Sequence, residues 1–480
     1  MYRSALILLL ATASVWAQGR RGREPVPILL PFDLDRDGRI SKREMAAAMR
    51  HLDLDGDKRV SETELIAHRR EFGLLDTNRD GKLDEKELRR TESVLRSFPQ
   101  PKTKLPDPEK PLPPVPAPRR NPVTPSKAVL GKMLFWEQQL SSSNSVACGT
   151  CHQPRAGGAD IRFGRHPGPD GAPGTIDDIF GSPGMLDKKG VVQVTRRISP
   201  SFFGALHARE QFWDGRARDK LRDPVTKSVV LTSGAALETQ ALAPILDTAE
   251  MSEPGRTWRD VTTKLSSAIP LAHAKTLTPD ILKALAKDPT YPRLFERAFG
   301  SRDITPTRIA MAIASYERTL VPDQTPFDAY IRGNKNAMTA AQVRGWRVFQ
   351  QSNCAVCHPA PFFTDNTYRN IGLRPPFEDL GRREVTRRKD DRGKFKVPSL
   401  RNVGLRPRFM HHGRFDNLGQ VLSHYRARVD RSEDNLDPLL RLRTGPGPAR
   451  RDLIEFLQFA LTDPRAAKGL PPFDHPVLKD

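Results

Sequence analysis

The sequence predicts an all-α chain built from several small units, and three observations lead there. Two Cys-x-x-Cys-His motifs consume all four cysteines, three acidic loops recur near the N-terminus, and a proline run separates the loops from the motifs. A chain of 480 residues corresponds to about three domains of ordinary size. Hydrophobic residues are 37% and aromatic residues 7% of the chain, lean for one large core but sufficient for small cores built around something non-protein. The net charge of +21 does not by itself imply nucleic acid, which would need the charge clustered on one face or a recognised motif. Lys and Arg are instead spread along the whole chain, so nucleic-acid binding is not expected.

Residues 1–17 come first. Met1-Tyr2-Arg3 is followed by an apolar stretch from Ala5 to Ala13 and then by Val15-Trp16-Ala17. A positive start, an apolar run too short to span a bilayer and a small residue at the cut predict a cleaved secretory signal. No later run of apolar residues reaches the length of a membrane span, so a soluble periplasmic protein, with no membrane contact after signal cleavage, is expected.

Residues 28–98 carry the repeated loop. Asp33, Asp35, Asp37, Arg39, Ser41 and Glu44 occupy the ligand positions of the first copy, and Asp76, Asn78, Asp80, Lys82, Asp84 and Glu87 those of the third. Both match an EF-hand loop, in which Ca²⁺ takes side-chain oxygens, one main-chain carbonyl at the seventh position (Arg39, Lys82) and a closing Glu, with Gly at the sixth position for the turn. The middle copy, Asp53, Asp55, Asp57, Arg59, Ser61 and Glu64, has Lys58 where Gly is expected. Lys58 must therefore adopt a left-handed backbone. The short stretches between loops, Met45 to Leu52 and Leu65 to Leu75, have helical apolar spacing and fit helices shared between hands.

Residues 99–125 form the linker, with eleven prolines between Phe98 and Ser126. That density prevents helix and favours an extended, semi-rigid spacer.

The remainder holds Cys148-Gly-Thr-Cys151-His152 and Cys354-Ala-Val-Cys357-His358. On a helical turn, cysteines three apart face one side, where they add to the vinyl groups of a porphyrin, and the next His meets the iron. A zinc site built from four thiolates has little use for a His at the same place each time. Two covalently bound haem c groups are expected, and they account for the lean aromatic content. Such a protein is an electron carrier if both irons are closed. It is a peroxidase if one is open beside an acid–base group.

Further motifs make the chain resemble the bacterial di-haem cytochrome c peroxidase and MauG family. They are Leu130-Gly-Lys-Met-Leu-Phe-Trp136, Leu140-Ser-Ser-Ser143, Gln211-Phe-Trp213-Asp-Gly-Arg216-Ala217 and Lys394-Phe-Lys-Val-Pro398-Ser-Leu-Arg401-Asn402. The resemblance runs from about Pro125 to Leu461 and leaves the calcium module and linker outside. It implies that the haem on His152 is the peroxidatic one and that Glu250, in Ala243-Pro-Ile-Leu-Asp-Thr-Ala-Glu250-Met251, accepts and returns the peroxide proton. Trp213 would pass electrons between the haems. Tyr425, following Leu422-Ser-His424, stands at the family's axial methionine position, as the tyrosinate ligand does in MauG; Met410, His411 and an ordinary buried Tyr are the alternatives. His411 resembles a family histidine that lies beside the iron ligands without binding the iron itself. His166 lies near the family's removable distal histidine, but a Gly-, Pro- and Asp-rich insertion from Pro167 to about Gly190 comes directly after it, able to move His166 or cover the pocket. Ile198 stands where the family's inter-haem calcium site expects Asn.

The expectation is an all-α protein with two cytochrome c-like haem domains, 126–333 (peroxidatic) and 334–470 (electron transfer), behind the EF-hand module and linker. It would reduce hydrogen peroxide with electrons from a small cytochrome c or cupredoxin, or from an oxidisable substrate; a homodimer is left open. The rival readings are a MauG-like oxidase of a protein or organic substrate and a non-enzymatic electron-transfer cytochrome.

Overall fold

The computed structural model describes residues 28–66, 68, 72–96, 110–172, 175, 178–186, 190–373, 379–426, 435–440 and 447–479. The expected signal, residues 1–17, and the first part of the linker lie outside the described residues.

In the N-terminal module a single glutamate closes each loop and, in the first and third, also caps a helix. Helix α1 (Lys42–Leu52) begins at Ser41, whose Oγ accepts from the Glu44 amide while the Glu44 carboxylate accepts from the Ser41 amide, a reciprocal cap. Glu44 Oε1 also accepts from Leu34 N at 2.8 Å, drawing the loop shut. Asp84 and Glu87 repeat the device at the helix Glu85–Arg89. The middle and third loops are joined by strands β1 (Val60–Ser61) and β2 (Lys82–Leu83), in antiparallel register Val60↔Leu83. The first loop has no such strand among the described residues, and its Ile40 carbonyl accepts from Arg89 Nη1 at 2.8 Å.

Beyond the module lie two helical cores. In the first, helix α2 (Pro125–Phe135) packs on helix α3 (Pro306–Glu317). The helices cross so closely that a Cβ at Gly131 would lie 1.9 Å from the Ala312 carbonyl oxygen, so only glycine fits there. In the second, helix α4 (Ala340–Gln351) packs on helix α5 (Gly447–Glu455) around Phe327, Trp346, Phe349, Phe363 and Phe456. No helix among the described residues is long and apolar enough to cross a membrane.

The chain is mainly helical rather than all-α. Seven two-stranded antiparallel sheets occur among the described residues, all of short strands. Four of these strands come from the Gly- and Pro-rich segment after the first motif: β3 (Gly164–His166) pairs with β4 (Ile179–Gly181), and β5 (Pro183–Leu186) with β6 (Val192–Val194). Such composition cannot sustain helix, and hairpins satisfy its backbone groups instead. The described half of the linker is laid on the first helical core: Pro116 O accepts from Arg318 Nε at 3.0 Å, and buried Asn121 donates to Glu238 Oε1 at 2.8 Å. The C-terminal segment also returns to that domain. Val477–Leu478 pairs with Ala274–Thr276, Phe473 enters the first core, and His475 stacks on Trp136 at 4.0 Å.

Candidate functional site

Each Cys-x-x-Cys-His motif forms a single helical turn, Cys148–Cys151 and Cys354–Cys357, with the His at its C-terminal end. The four cysteines make no disulfide. Burial pushes the thiols of Cys148, Cys354 and Cys357 up to about 12. Neutral thiols in apolar surroundings suit thioether attachment better than a thiolate-bound metal. His152 Nδ1 lies 3.1 Å from the Gly158 carbonyl, and His358 Nδ1 3.1 Å from that of Phe363. A carbonyl only accepts, so Nδ1 carries the hydrogen and Nε2 keeps a lone pair for iron. Burial lowers both imidazoles, which keeps them neutral.

The first motif opens into a cavity of about 460 Å³ that His152, Cys148, Cys151, Trp213 and Glu250 line together. The volume is that of a cofactor pocket. Its wall carries Lys396, Arg196, Arg197 and Arg216 beside Asp214, Asp247 and Glu384, and the three arginines pair with Asp214 or Glu384. Donors and volume therefore fit a haem.

Burial raises the Glu250 carboxyl to about 7; neighbouring Asp247 adds to the shift and Arg216 opposes it. Gln240 and Glu317, to which the motifs do not point, also reach the same cavity. Glu317 ends α3, is 5% exposed, and has no hydrogen-bond partner at Oε2 among the described residues. Burial lifts its carboxyl to about 8, against the pull of Arg318. A lone carboxylate closing the apolar run from Ile309 to Tyr316 was the available signal. Gln240 had none.

His166 is not among the residues that line this cavity. It belongs to β3, and its Nδ1 accepts from Gly168 N at 3.1 Å. The insertion does reach the site by another route: a Cβ at Gly184 of β5 would lie 2.0 Å from the Ala249 carbonyl oxygen, so the β5–β6 hairpin rests on the backbone that carries Glu250.

Trp213 is 7% exposed, and its Nε1 donates to Ile198 O at 2.9 Å. Its own carbonyl accepts from Lys396 N at 2.8 Å, which ties the tryptophan motif to the segment after the second haem motif. Its ring lies 6.4 Å from that of His411, which in turn stacks on Phe395 at 3.6 Å. Buried His411 leaves Nε2 without a hydrogen-bond partner among the described residues. Ile198 contributes only backbone here, donating to His411 O at 2.8 Å, and offers no side-chain oxygen to a cation.

Tyr425 lies on the helix Leu418–Arg426, half-buried. Burial raises its hydroxyl strongly, and the nearby Cys357, Cys354 and Asp437 raise it further, which locates the ring beside the second motif. Met410 is half-buried with φ +69°.

In the N-terminal module the ligand atoms of Asp33, Asp35 and Asp37 lie within 4.8 Å of one another, as do those of Asp53, Asp55 and Glu64. The sixth position is left-handed in all three loops: Gly38 at +77°, Lys58 at +67° and Gly81 at +81°. Backbone and donors fit an EF-hand ion. Lys82 of the third loop pairs with Asp57 of the middle one, and Arg59 of the middle loop with Asp80 of the third. Asp33 has no such cation among the described residues, and burial together with Glu44, Asp37 and Asp35 raises it to about 6.

Comparison with known proteins agrees with this geometry. Residues 125–336 match the di-haem cytochrome c peroxidase family, and residues 32–49 and 70–90 match the EF hand. The methylamine utilization protein MauG of Methylophilus methylotrophus is 30% identical over 352 residues, 72% of this chain and 85% of that one. The cytochrome c551 peroxidase of Nitrosomonas europaea is 30% identical over 315 residues, 63% of this chain and 75% of that one. Among solved structures, a MauG-like protein associated with microbial copper homeostasis shares the fold with a TM-score of 0.56 at 22% identity, covering 76% of this chain and 96% of that one.

Proposed function

Because the chain belongs to the di-haem cytochrome c peroxidase and MauG family of oxidoreductases, we propose that it reduces hydrogen peroxide to water outside the cytoplasm, in the periplasm. Electrons would come from a small cytochrome c or cupredoxin. The cavity that gathers His152, Glu250 and Trp213 carries this reading. When bound, the haem groups supply the redox chemistry and the electron path. The overall change, hydrogen peroxide with two electrons and two protons giving two waters, asks the protein mainly to move protons.

Glu250 has the position and the acidity for that task. With its carboxyl near 7, it is poised at neutral pH to take a proton from peroxide and return it to the departing oxygen. Glu317 and Gln240 hold further polar atoms on the same wall. His152 and His358 orient through Nδ1 and present Nε2. Trp213, braced at its indole nitrogen and its carbonyl, bridges the segments of the two motifs. Calcium in the N-terminal loops belongs to the same proposal, supported by the clustered carboxylates.

A second reading, a MauG-like oxidase acting on a protein or organic molecule, draws on Tyr425 beside Cys354 and Cys357. Steady-state reduction of hydrogen peroxide by the di-haem protein, with a reduced small cytochrome as donor, separates the readings. Turnover supports the peroxidase. Haems that stay low-spin and inert to peroxide in both the oxidised and half-reduced protein would sink both enzymatic readings.

A further inference from the structure

The calcium module is seated on the helical turn that carries the second haem motif. Arg36, the fourth residue of the first loop, extends into the haem domain with its side chain 2% exposed. Its Nη2 donates to the carbonyl of Val356, between Cys354 and Cys357, at 3.0 Å, and meets Asp365 Oδ2 at 3.3 Å. Asp365 is tied to the same turn, since its amide donates to Cys357 O at 2.9 Å, and it also pairs with Arg369 at 3.2 Å. A second strut runs from the middle loop: Gln351 Nε2 donates to Glu64 O at 2.8 Å, and His68 Nε2 donates to Gln351 O at 2.7 Å. The Val356 side chain completes the apolar core of the module.

The first loop is the one whose shape depends most on a cation. The middle and third loops neutralise each other through Lys82–Asp57 and Arg59–Asp80. Asp33, Asp35 and Asp37 crowd within 4.8 Å with no cation paired to them among the described residues. Arg36 lies between two of these carboxylates in sequence, with a left-handed backbone at φ +60°. A cation that draws Asp35 and Asp37 together therefore fixes the backbone from which the guanidinium projects.

We propose that Arg36 is a positioning residue for the second haem attachment turn, and that a divalent cation in the first loop holds it in place. Its role rests on calcium binding in that loop and on haem at Cys354-x-x-Cys357-His358. With the full-length holoprotein, removal of calcium by a chelator and re-addition of CaCl₂ are expected to shift the visible and EPR signals of the His358 haem and leave those of the His152 haem in place. Glu44→Gln keeps the helix cap but weakens the first site and should lose the shift, whereas Glu87→Gln in the third loop should retain it. Arg36→Ala is expected to bind calcium and lose the shift, and Arg36→Lys to recover part of it. Calorimetry with CaCl₂ on the same proteins separates the failures. Calcium heat without any response of the His358 haem overturns the role of Arg36 and leaves calcium binding standing. Absence of calcium heat overturns both, and a shift lost equally in Glu44→Gln and Glu87→Gln overturns the assignment to the first loop.

Discussion

At Glu250 burial and charge act together, and the result is a carboxyl near 7 in the wall of the first cavity. Only its ionised form accepts a proton, so peroxide turnover is expected to fall as pH drops below about 7. Glu250→Gln should lower kcat by about 10²–10⁴-fold, the usual share of a general acid–base group, and abolish this acid limb. A pH profile of kcat/KM for both proteins checks it. Stability runs the opposite way: a carboxyl whose pKa is higher folded than unfolded binds its proton more tightly when folded. Its contribution is full below the unfolded value near 4.5 and is lost as pH rises through about 7. Thermal unfolding of Glu250→Gln should lack that decline. Tyr425→Phe is expected to change the spectrum of the His358 haem alone; an unaltered spectrum would remove Tyr425 as its ligand. Glu250 and Trp213 were legible because each sits inside a contiguous motif. Gln240 was not, because only the fold carries α-helix Ala236–Leu242 to the cavity wall.

Among the elements, the EF-hand loops were the most legible, since a fixed spacing dictates each residue and even the left-handed Lys58 can be deduced from the missing glycine. The insertion after the first motif was visible as a break in composition. What it rests on was not, because the contact of Gly184 with Ala249 joins residues far apart in sequence. That contact leaves no room for a side chain. Gly184→Ala is therefore expected to push the β5–β6 hairpin off the Glu250 segment, at a cost of about 1–3 kcal/mol. Denaturant unfolding measures the cost. A parallel loss of peroxide turnover would tie the hairpin to the placement of Glu250, whereas lost stability with unchanged turnover would make it a cover without influence on the acid. The linker was legible as a helix-free segment. Its attachment through Pro116 and Asn121 depends on Arg318 and Glu238 of a distant pair of helices.

Across the whole molecule, the junction between the first and second motif segments is ionic. Arg197, with its side chain 8% exposed, pairs with Asp214 at 2.6 Å and with Asp379 at 2.7 Å. Arg197 holds Asp379 down to about 2 despite burial. This carboxylate therefore stabilises the fold above its unfolded value near 3.8, and the benefit disappears only as pH falls through about 2. Arg197→Ala leaves Asp379 to Arg196 and Asp214 to Arg216 alone and should cost about 1–3 kcal/mol, measured by denaturant unfolding. The pairing of segments this distant, like the return of the C-terminal strand to Ala274–Thr276, is written in no local pattern. Net charge, by contrast, is read directly from the sequence. At +21, the protein should attract an acidic electron donor from a distance. Between about 10 mM and 150 mM salt the Debye length contracts from about 30 Å to about 8 Å. Steering raises association by about 10–10³-fold at most, and screening removes it progressively. The kcat/KM for an acidic small cytochrome should therefore fall steeply over that range, while that for a basic one of similar potential stays flat or rises. Equal salt dependence for the two donors would mean that the excess charge does not face the docking surface.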